Sequence, residues 1–189
     1  MAHLTRDTIE HMGFAAVGRN VMLSDKASFY NCAKISIGDN VRIDDFVVLA
    51  AGVGGIQIGQ NVHIAVGSSL IGAGQITMRD FSGLSSRVSV YSSSDDYSGA
   101  TLTNPTLPSE FTGVTNADVT LERHVIVGSG TVILPGVTLE EGVAVGALSL
   151  VRKNCLAFGI YAGNPARRIA ERKRDLLELE RRYLASTQS

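Results

Sequence analysis

Large apolar residues recur at every sixth position, in blocks of three. The blocks are Val17, Leu23 and Phe29; Ile37, Ile43 and Leu49; Ile58, Ile64 and Leu70; Met78, Leu84 and Val90; Leu121, Val127 and Ile133; and Leu139, Val145 and Val151. None of these 18 positions is polar. Four residues after each stands a small or β-branched residue, among them Val41, Val62, Ser82, Thr131, Ser149 and finally Cys155. Side chains alternate across a strand, so a large residue, a turn, a small residue and another large residue describe a short strand followed by a corner. Three such sides close a triangular coil, and coils stack through parallel ladders roughly 4.8 Å apart. The pattern predicts an all-β chain: a parallel β-helix of about six triangular coils over residues 17–156, on the order of 29 Å tall.

The interruptions follow a rule. Extra residues appear after the third side of a coil: Ile35 and Ser36, Gly55 to Gln57, and Ile76 and Thr77. A long insertion of 25 residues, 96–120, leaves at the same place. All depart from one edge of the prism, and repeat proteins group insertions on their working surface. A loop this long in a compact domain is usually functional. Residues 1–16 read as an amino-terminal cap, with a short helix over Thr8 to Met12. Residues 157–189 read as an extension and helix. The period stops after Val151, and Asn164-Pro165 predicts a helix cap and first turn. Ile169, Leu176 and Tyr183 then fall on one helical face at seven-residue intervals. Lys173 and Glu180 stand where apolar residues would complete that stripe, so the helix is only partly amphipathic.

Composition narrows the class. Of 189 residues, 44% are apolar and 19% charged, which excludes a disordered polyampholyte. Seventeen basic against 18 acidic side chains leave a net charge of −1, with no nucleic-acid footprint. No unbroken apolar stretch reaches the length of a membrane span. The start, Met-Ala-His-Leu-Thr-Arg-Asp, lacks the apolar run of a signal peptide. The two cysteines, Cys32 and Cys155, form neither a disulfide framework nor a metal motif and suit a reducing compartment. The expected location is the cytoplasm.

Several segments carry a resemblance. Ile37-Gly38-Asp39-Asn40-Val41, Ile58-Gly59-Gln60-Asn61-Val62, the run Val127-Gly128-Ser129-Gly130-Thr131 through Leu134-Pro135-Gly136-Val137, and Tyr161-Ala162-Gly163-Asn164-Pro165-Ala166-Arg167 resemble the hexapeptide-repeat acyltransferases. The likeness is to galactoside and maltose O-acetyltransferases and to the sugar acetyltransferases of bacterial surface-polysaccharide pathways. It implies a left-handed coil, against the usual crossover rule. It also implies a homotrimer with acetyl-CoA in the cleft between neighbouring prisms. The activity it implies is acetyl transfer to a hydroxyl or amino group of a sugar or nucleotide-linked sugar. Two other classes share the prism. One is a noncatalytic β-helix binding module. The other is a γ-carbonic-anhydrase-like metalloenzyme, which needs three histidines around a metal.

Acyl transfer from a thioester needs a proton acceptor, an oxyanion donor, a groove for the pantetheine arm and positive charge for phosphates. His63 directly precedes inward Ile64, so alternation points it out onto a flat face. The stretch His63-Ile64-Ala65-Val66-Gly67 also resembles amino-sugar N-acetyltransferases, in which a histidine contacts the acetyl group. His124 falls on a corner, and His3 and His11 fall in the cap. Where the galactoside enzymes place their catalytic histidine, this chain has Asp95. Asp95 or its neighbour Asp96 is therefore a candidate to orient His63 or to bind the acceptor. The resemblance carries further roles to named positions. Ser129 and Ala147 would line the pantetheine arm. Arg152, Lys153, Arg167 and Arg168 would meet the CoA phosphates, with Arg167 and Arg168 opening the terminal helix. No metal site is expected.

Overall fold

The computed structural model describes residues 2–187. The chain winds into a left-handed parallel β-helix of about seven turns with a carboxy-terminal helix. Strands of two to four residues build three flat faces. The first runs from Ala16–Val17 through Ile35–Ile37, Ile56–Ile58, Ile76–Met78 and Val119–Leu121 to Thr138–Leu139. The second runs from Met22–Leu23 through Arg42–Ile43, His63–Ile64, Gly83–Leu84, Ile126–Val127 and Ala144–Val145 to Gly159–Ala162. The third runs from Ser28–Tyr30 through Val48–Ala51, Ser69–Gly72, Ser89–Tyr91 and Val132–Ile133 to Leu150–Val151.

Register follows the aliphatic columns. Ile58 pairs with Ile37 and Met78, and Leu121 with Met78 and Leu139. Every column residue is buried except Val17 and Phe29, which are half-buried in the first coil. That coil has no neighbour above it. The helix Arg6–His11 supplies buried Ile9 as part of the lid, and Phe14 packs edge-on against Phe29 at 5.4 Å. The helix begins two residues earlier than expected because the Thr5 hydroxyl caps it by accepting from the Thr8 amide.

The corner residues solve two problems. The backbone turns through the left-handed region at most corners. Between the first and second faces Asn20, Asn40 and Asn61 do so with φ of 54°, 56° and 55°, and asparagine tolerates that region best among non-glycine residues. The small column also places hydroxyls inside the prism. Ser68 donates to the Ser85 carbonyl, and both Thr131 and Ser149 donate to the Gly146 carbonyl. No buried side-chain polar atom among the described residues lacks a partner.

Three expectations change. The residues counted as extra after the third side include core residues. Ile35, Ile56, Ile76 and Val119 are buried, so the widened edge is filled by an additional inward side chain, while Val53 is pushed out to 83% exposure. The period does not end at Val151. Cys155 bridges Leu139, Tyr161 pairs with Val145, and both are buried. The last coil is shorter, which hides it from a count by sixes. Finally, Asn164-Pro165 does not open a helix. It turns the chain so that Arg167–Glu171 pairs antiparallel with Gly159–Ala162, and the helix starts only at Asp175–Thr187. The edge amides of the seventh rung offer hydrogen bonds that a helix from Asn164 would leave unmade. The helix then lies back on the prism: Glu180 pairs with Arg123 and, at 2.7 Å, with His124, and the Tyr183 hydroxyl donates to Asn61.

The insertion 96–120 is rooted rather than loose. Ser93–Ser94 pairs antiparallel with Thr115–Asn116, closing its base, and a short 3-10 turn spans Ser109–Phe111.

Candidate active site

The outward positions of the second face form one register line. Met22, Arg42, His63, Gly83, Ile126, Ala144 and Ile160 stand directly above one another. A groove of about 400 Å³ opens in its middle, lined by His63, Ala65, Gly83, Ser85, Ser86, Ile126 and Ser129. His63 and Ser129, assigned separately in the sequence, therefore share one cleft.

His63 is held from below. Its Nε2 lies 2.9 Å from Asp44 Oδ2, and Arg42 Nε donates to Asp44 Oδ1 at 2.7 Å. Asp44 is nearly buried, with 9% of its side chain exposed. Burial works to raise its pKa, but the hydrogen bonds and charges of His63 and Arg42 win and hold it below the ordinary carboxylate value. An ionised carboxylate only accepts, so Nε2 carries the hydrogen and a neutral ring keeps its lone pair on Nδ1. Neither Arg42 nor Asp44 was singled out in the sequence. They lie one coil before His63, and a search for polar residues one coil away from each outward histidine finds them.

A second groove, also about 400 Å³, opens on the third face at the root of the insertion. Tyr91, Ser93, Ser94, Asp95, Tyr97, Val132, Leu134 and Pro135 line it. Asp95 is thus on a different face from His63, and within one chain it does not orient that ring. Asp96 belongs to neither groove. Its carboxylate accepts from the Ser98 amide at 2.8 Å, and from the Thr101 amide at 3.0 Å and hydroxyl at 3.2 Å. Those bonds, the Ser98 contacts foremost, pull its pKa down to about 2. Such a group organises its loop and is a poor proton acceptor.

The cofactor candidates line up along the edge between the second and third faces. The Gly130 amide donates to the Ser86 carbonyl, Leu148 to Ser129, and Leu150 to Gly163, so Ser86, Ser129, Ala147 and Gly163 mark successive rungs. At the carboxy-terminal end of the prism, beside the corner that leaves the third face, lies a recess of about 170 Å³ walled by Arg152, Lys153, Tyr161, Arg167 and Arg168. The four basic residues named from the sequence therefore meet in one place. Arg167 and Arg168 reach it from a strand rather than a helix, and Arg168 also pairs with Glu171. From the His63 groove to the recess is three coils, roughly 14 Å, a span that suits an extended pantetheine arm.

The remaining reactive groups are occupied. Burial pushes the Cys155 thiol up to about 11 and raises Cys32 as well, so neither is a thiolate nucleophile at neutral pH. His124 is buried against Glu180 and stacks on Phe81 at 5.3 Å. No group of three or more metal-ligating side chains occurs among the described residues. Among those residues no helix is long and apolar enough to cross a membrane.

The Asp96 geometry predicts an acid response. With its folded pKa near 2 and its ordinary value 3.8, the order it gives the loop is complete above about pH 4 and lost as pH falls through about 2. Hydrogen-exchange protection at Ser98 and Thr101 should fall over that range in the wild type. Asp96→Asn should have low, pH-independent protection there. An unchanged profile in the variant would show that the carboxylate does not order the loop.

No family model matches the chain. It is 53% identical over 180 residues to the dTDP-4-amino-4,6-dideoxy-D-glucose acyltransferase of Escherichia coli, covering 95% of this chain and 94% of that protein. Its fold matches AntD, an N-acyltransferase from Bacillus cereus solved with dTDP and 3-hydroxybutyryl-CoA, at a TM-score of 0.95 and 44% identity, over 99% of this chain and 98% of that one. A maltose O-acetyltransferase from Clostridium difficile 630 matches at a TM-score of 0.56 and 20% identity, over 89% and 75% of the two chains, and shares the fold alone. The prism, its grooved face and near-full-length kinship place the chain among the hexapeptide-repeat, left-handed β-helix acyltransferases: it is a CoA-dependent enzyme that transfers an acyl group to a sugar or nucleotide-linked sugar.

Proposed function

We propose that this enzyme acetylates the 4-amino group of dTDP-4-amino-4,6-dideoxyglucose, using acetyl-CoA, as a cytoplasmic step toward surface polysaccharide. The carrying observation is the 53% identity, across nearly all of both chains, to the Escherichia coli acyltransferase named for that sugar. The Bacillus cereus N-acyltransferase, solved with dTDP and with that amino sugar, supports the same acceptor. The test is thiol release from acetyl-CoA with this sugar, its 3-amino isomer and dTDP-glucose. The 4-amino sugar should be preferred in kcat/KM by roughly 100-fold or more, because a site built around an amine leaves polar groups unpaired when the amine is moved or absent. Equal rates with all three would overturn the assignment.

The residues divide the work as follows. The basic recess of Arg152, Lys153, Arg167 and Arg168 holds the CoA phosphates, and the arm runs along the Ser129 and Ala147 edge. This brings the thioester into the His63 groove. The acceptor nitrogen attacks the carbonyl carbon. A proton passes from that nitrogen to His63 Nδ1, the carbon–sulfur bond breaks, and the proton goes on to the departing sulfur. The backbone amide of Ser86 steadies the oxyanion, since that of Ser85 already donates to the Val127 carbonyl. In Asp44→Asn, Arg42 still claims the side-chain oxygen, so the amide nitrogen faces His63 Nε2. The ring then carries its hydrogen on Nδ1. We expect kcat to fall by on the order of 100-fold with little change in KM for the sugar. Full turnover in that variant would remove His63 as the proton acceptor.

Asp95 enters from a neighbouring chain. In the Bacillus cereus enzyme a serine and an aspartate ten positions apart were each substituted in complexes with CoA. Ser85 and Asp95 have that spacing, as do Ser86 and Asp96, and the loop already occupies Asp96. Ser85 lines the second-face groove and Asp95 the third-face groove. A homotrimer that sets one face of each prism against the other face of its neighbour brings them together. Exposed Phe46, Val66 and Leu148 along the edge between those faces give such an assembly apolar contact. Coexpressing His63→Ala with Asp95→Asn should restore about a quarter of wild-type activity, since a mixed trimer regenerates some intact sites. Activity no higher than that of either parent would place the whole site within one chain.

A further inference from the structure

Nineteen of the 20 glycines have a structural reason to be glycine. Each either takes a positive φ between 70° and 144° or would bring a β-carbon to 3.2 Å or less of another atom. At the corners backbone approaches backbone: a β-carbon on Gly38 would stand 2.6 Å from the Gly59 carbonyl oxygen, and on Gly128 2.5 Å from the Ala147 nitrogen. Those residues let coil stack on coil. Gly83 is the exception. Its φ is not in the left-handed region, and a β-carbon there would meet only the His63 carbonyl oxygen at 3.5 Å and Ile126 Cδ1 at 3.8 Å, ordinary contacts. Glycine in a strand gives up backbone entropy and side-chain packing, and the fold of this chain gains nothing in exchange.

The vacancy lies in the groove. Gly83 is the rung between His63 and Ile126 on the outward line of the second face. Both neighbours carry full side chains, so the missing one leaves a notch between an imidazole and an aliphatic wall. Ala65 and Ile126 make the notch partly apolar, and Ser85 and Ser86 supply hydroxyls at its rim. A short acyl chain bearing a hydroxyl has that mixture. The sugar finds more polar company in the other groove, with Tyr91, Ser93, Ser94 and Asp95.

We infer that Gly83 is the specificity-determining residue for the acyl group: it admits acetyl and leaves room for a longer chain as well. The inference rests on the reading of the His63 groove as the acyl site, but it does not depend on which sugar is the acceptor. A β-carbon at this place projects into the notch beside the acyl carbons, so Gly83→Ala narrows it and Gly83→Val closes it. An acetyl group ends before the obstruction, whereas a four-carbon acyl group meets it.

The experiment measures binding of acetyl-CoA and 3-hydroxybutyryl-CoA by calorimetry, without acceptor, in the wild type, Gly83→Ala and Gly83→Val. Thermal melts and light scattering accompany each variant. Gly83→Ala should melt at or slightly above the wild-type temperature, since the fold accepts the methyl group. The affinity ratio of acetyl-CoA to 3-hydroxybutyryl-CoA should rise several-fold in Gly83→Ala and roughly tenfold or more in Gly83→Val. An unchanged ratio in Gly83→Ala would overturn the inference, even if Gly83→Val fails to fold. A change in assembly size with an unchanged ratio would do the same and assign the glycine to packing between subunits. If the wild type binds both donors yet does not turn over the 4-amino sugar, the acceptor assignment fails while the role of Gly83 stands.

Discussion

Each strand of this prism is two to four residues long and makes its hydrogen bonds to the coils above and below. No strand so short persists alone, so stability comes from repeating one coil in register until the aliphatic columns are continuous. Burying each large aliphatic side chain contributes about 1.5–3 kcal/mol relative to exposure, and this sum holds the corners in the left-handed backbone region they need. The rest follows from that stacking. Once inward positions are fixed, every outward position on a face is fixed too, in a straight line with a rung every few ångströms.

The functional groups are written on those outward lines. His63, Gly83 and Ile126 are neighbours in space because Ile64, Leu84 and Val127 are neighbours in the core. A ladder is a stiff mount, and little backbone freedom remains to blur the distance between His63 and the Asp44 carboxylate that holds it. The Asp44 carboxylate shows the cost of such a device. It is nearly out of water, and only the paired bonds from His63 and Arg42 keep it ionised. The same rigidity explains why variable elements gather at one edge. The insertion 96–120 leaves the prism where widened corners already break the period, and its Asp96-bonded turn settles without disturbing a coil.

The aliphatic and small columns, the insertion edge and the outward direction of His63 were legible in the sequence because strand alternation and a six-residue period are local properties. The basic residues Arg152, Lys153, Arg167 and Arg168 were found through family resemblance, and the structure brings them to one recess: a hairpin folds the last two back beside the first two. That hairpin was missed. Asn164-Pro165 begins a helix as readily as a turn on local grounds, and the choice was made by unpaired amides on the seventh rung, which exist only after the coil is built. Ile35, Ile56 and Ile76 were misread as insertions for a similar reason, since a widened corner calls for an extra inward side chain only when three sides have closed.

The sequence by itself determined the class of fold, the inward aliphatic columns and the face on which His63 stands, since each depends on residues a few positions apart. Only the tertiary structure decided that Asp44 grips His63, that Asp95 opens onto another face, and that one glycine in the whole chain is free of any duty to the backbone. Those facts concern side chains about 20 residues apart or on different walls of the prism, and their distances are set by how the coils stack.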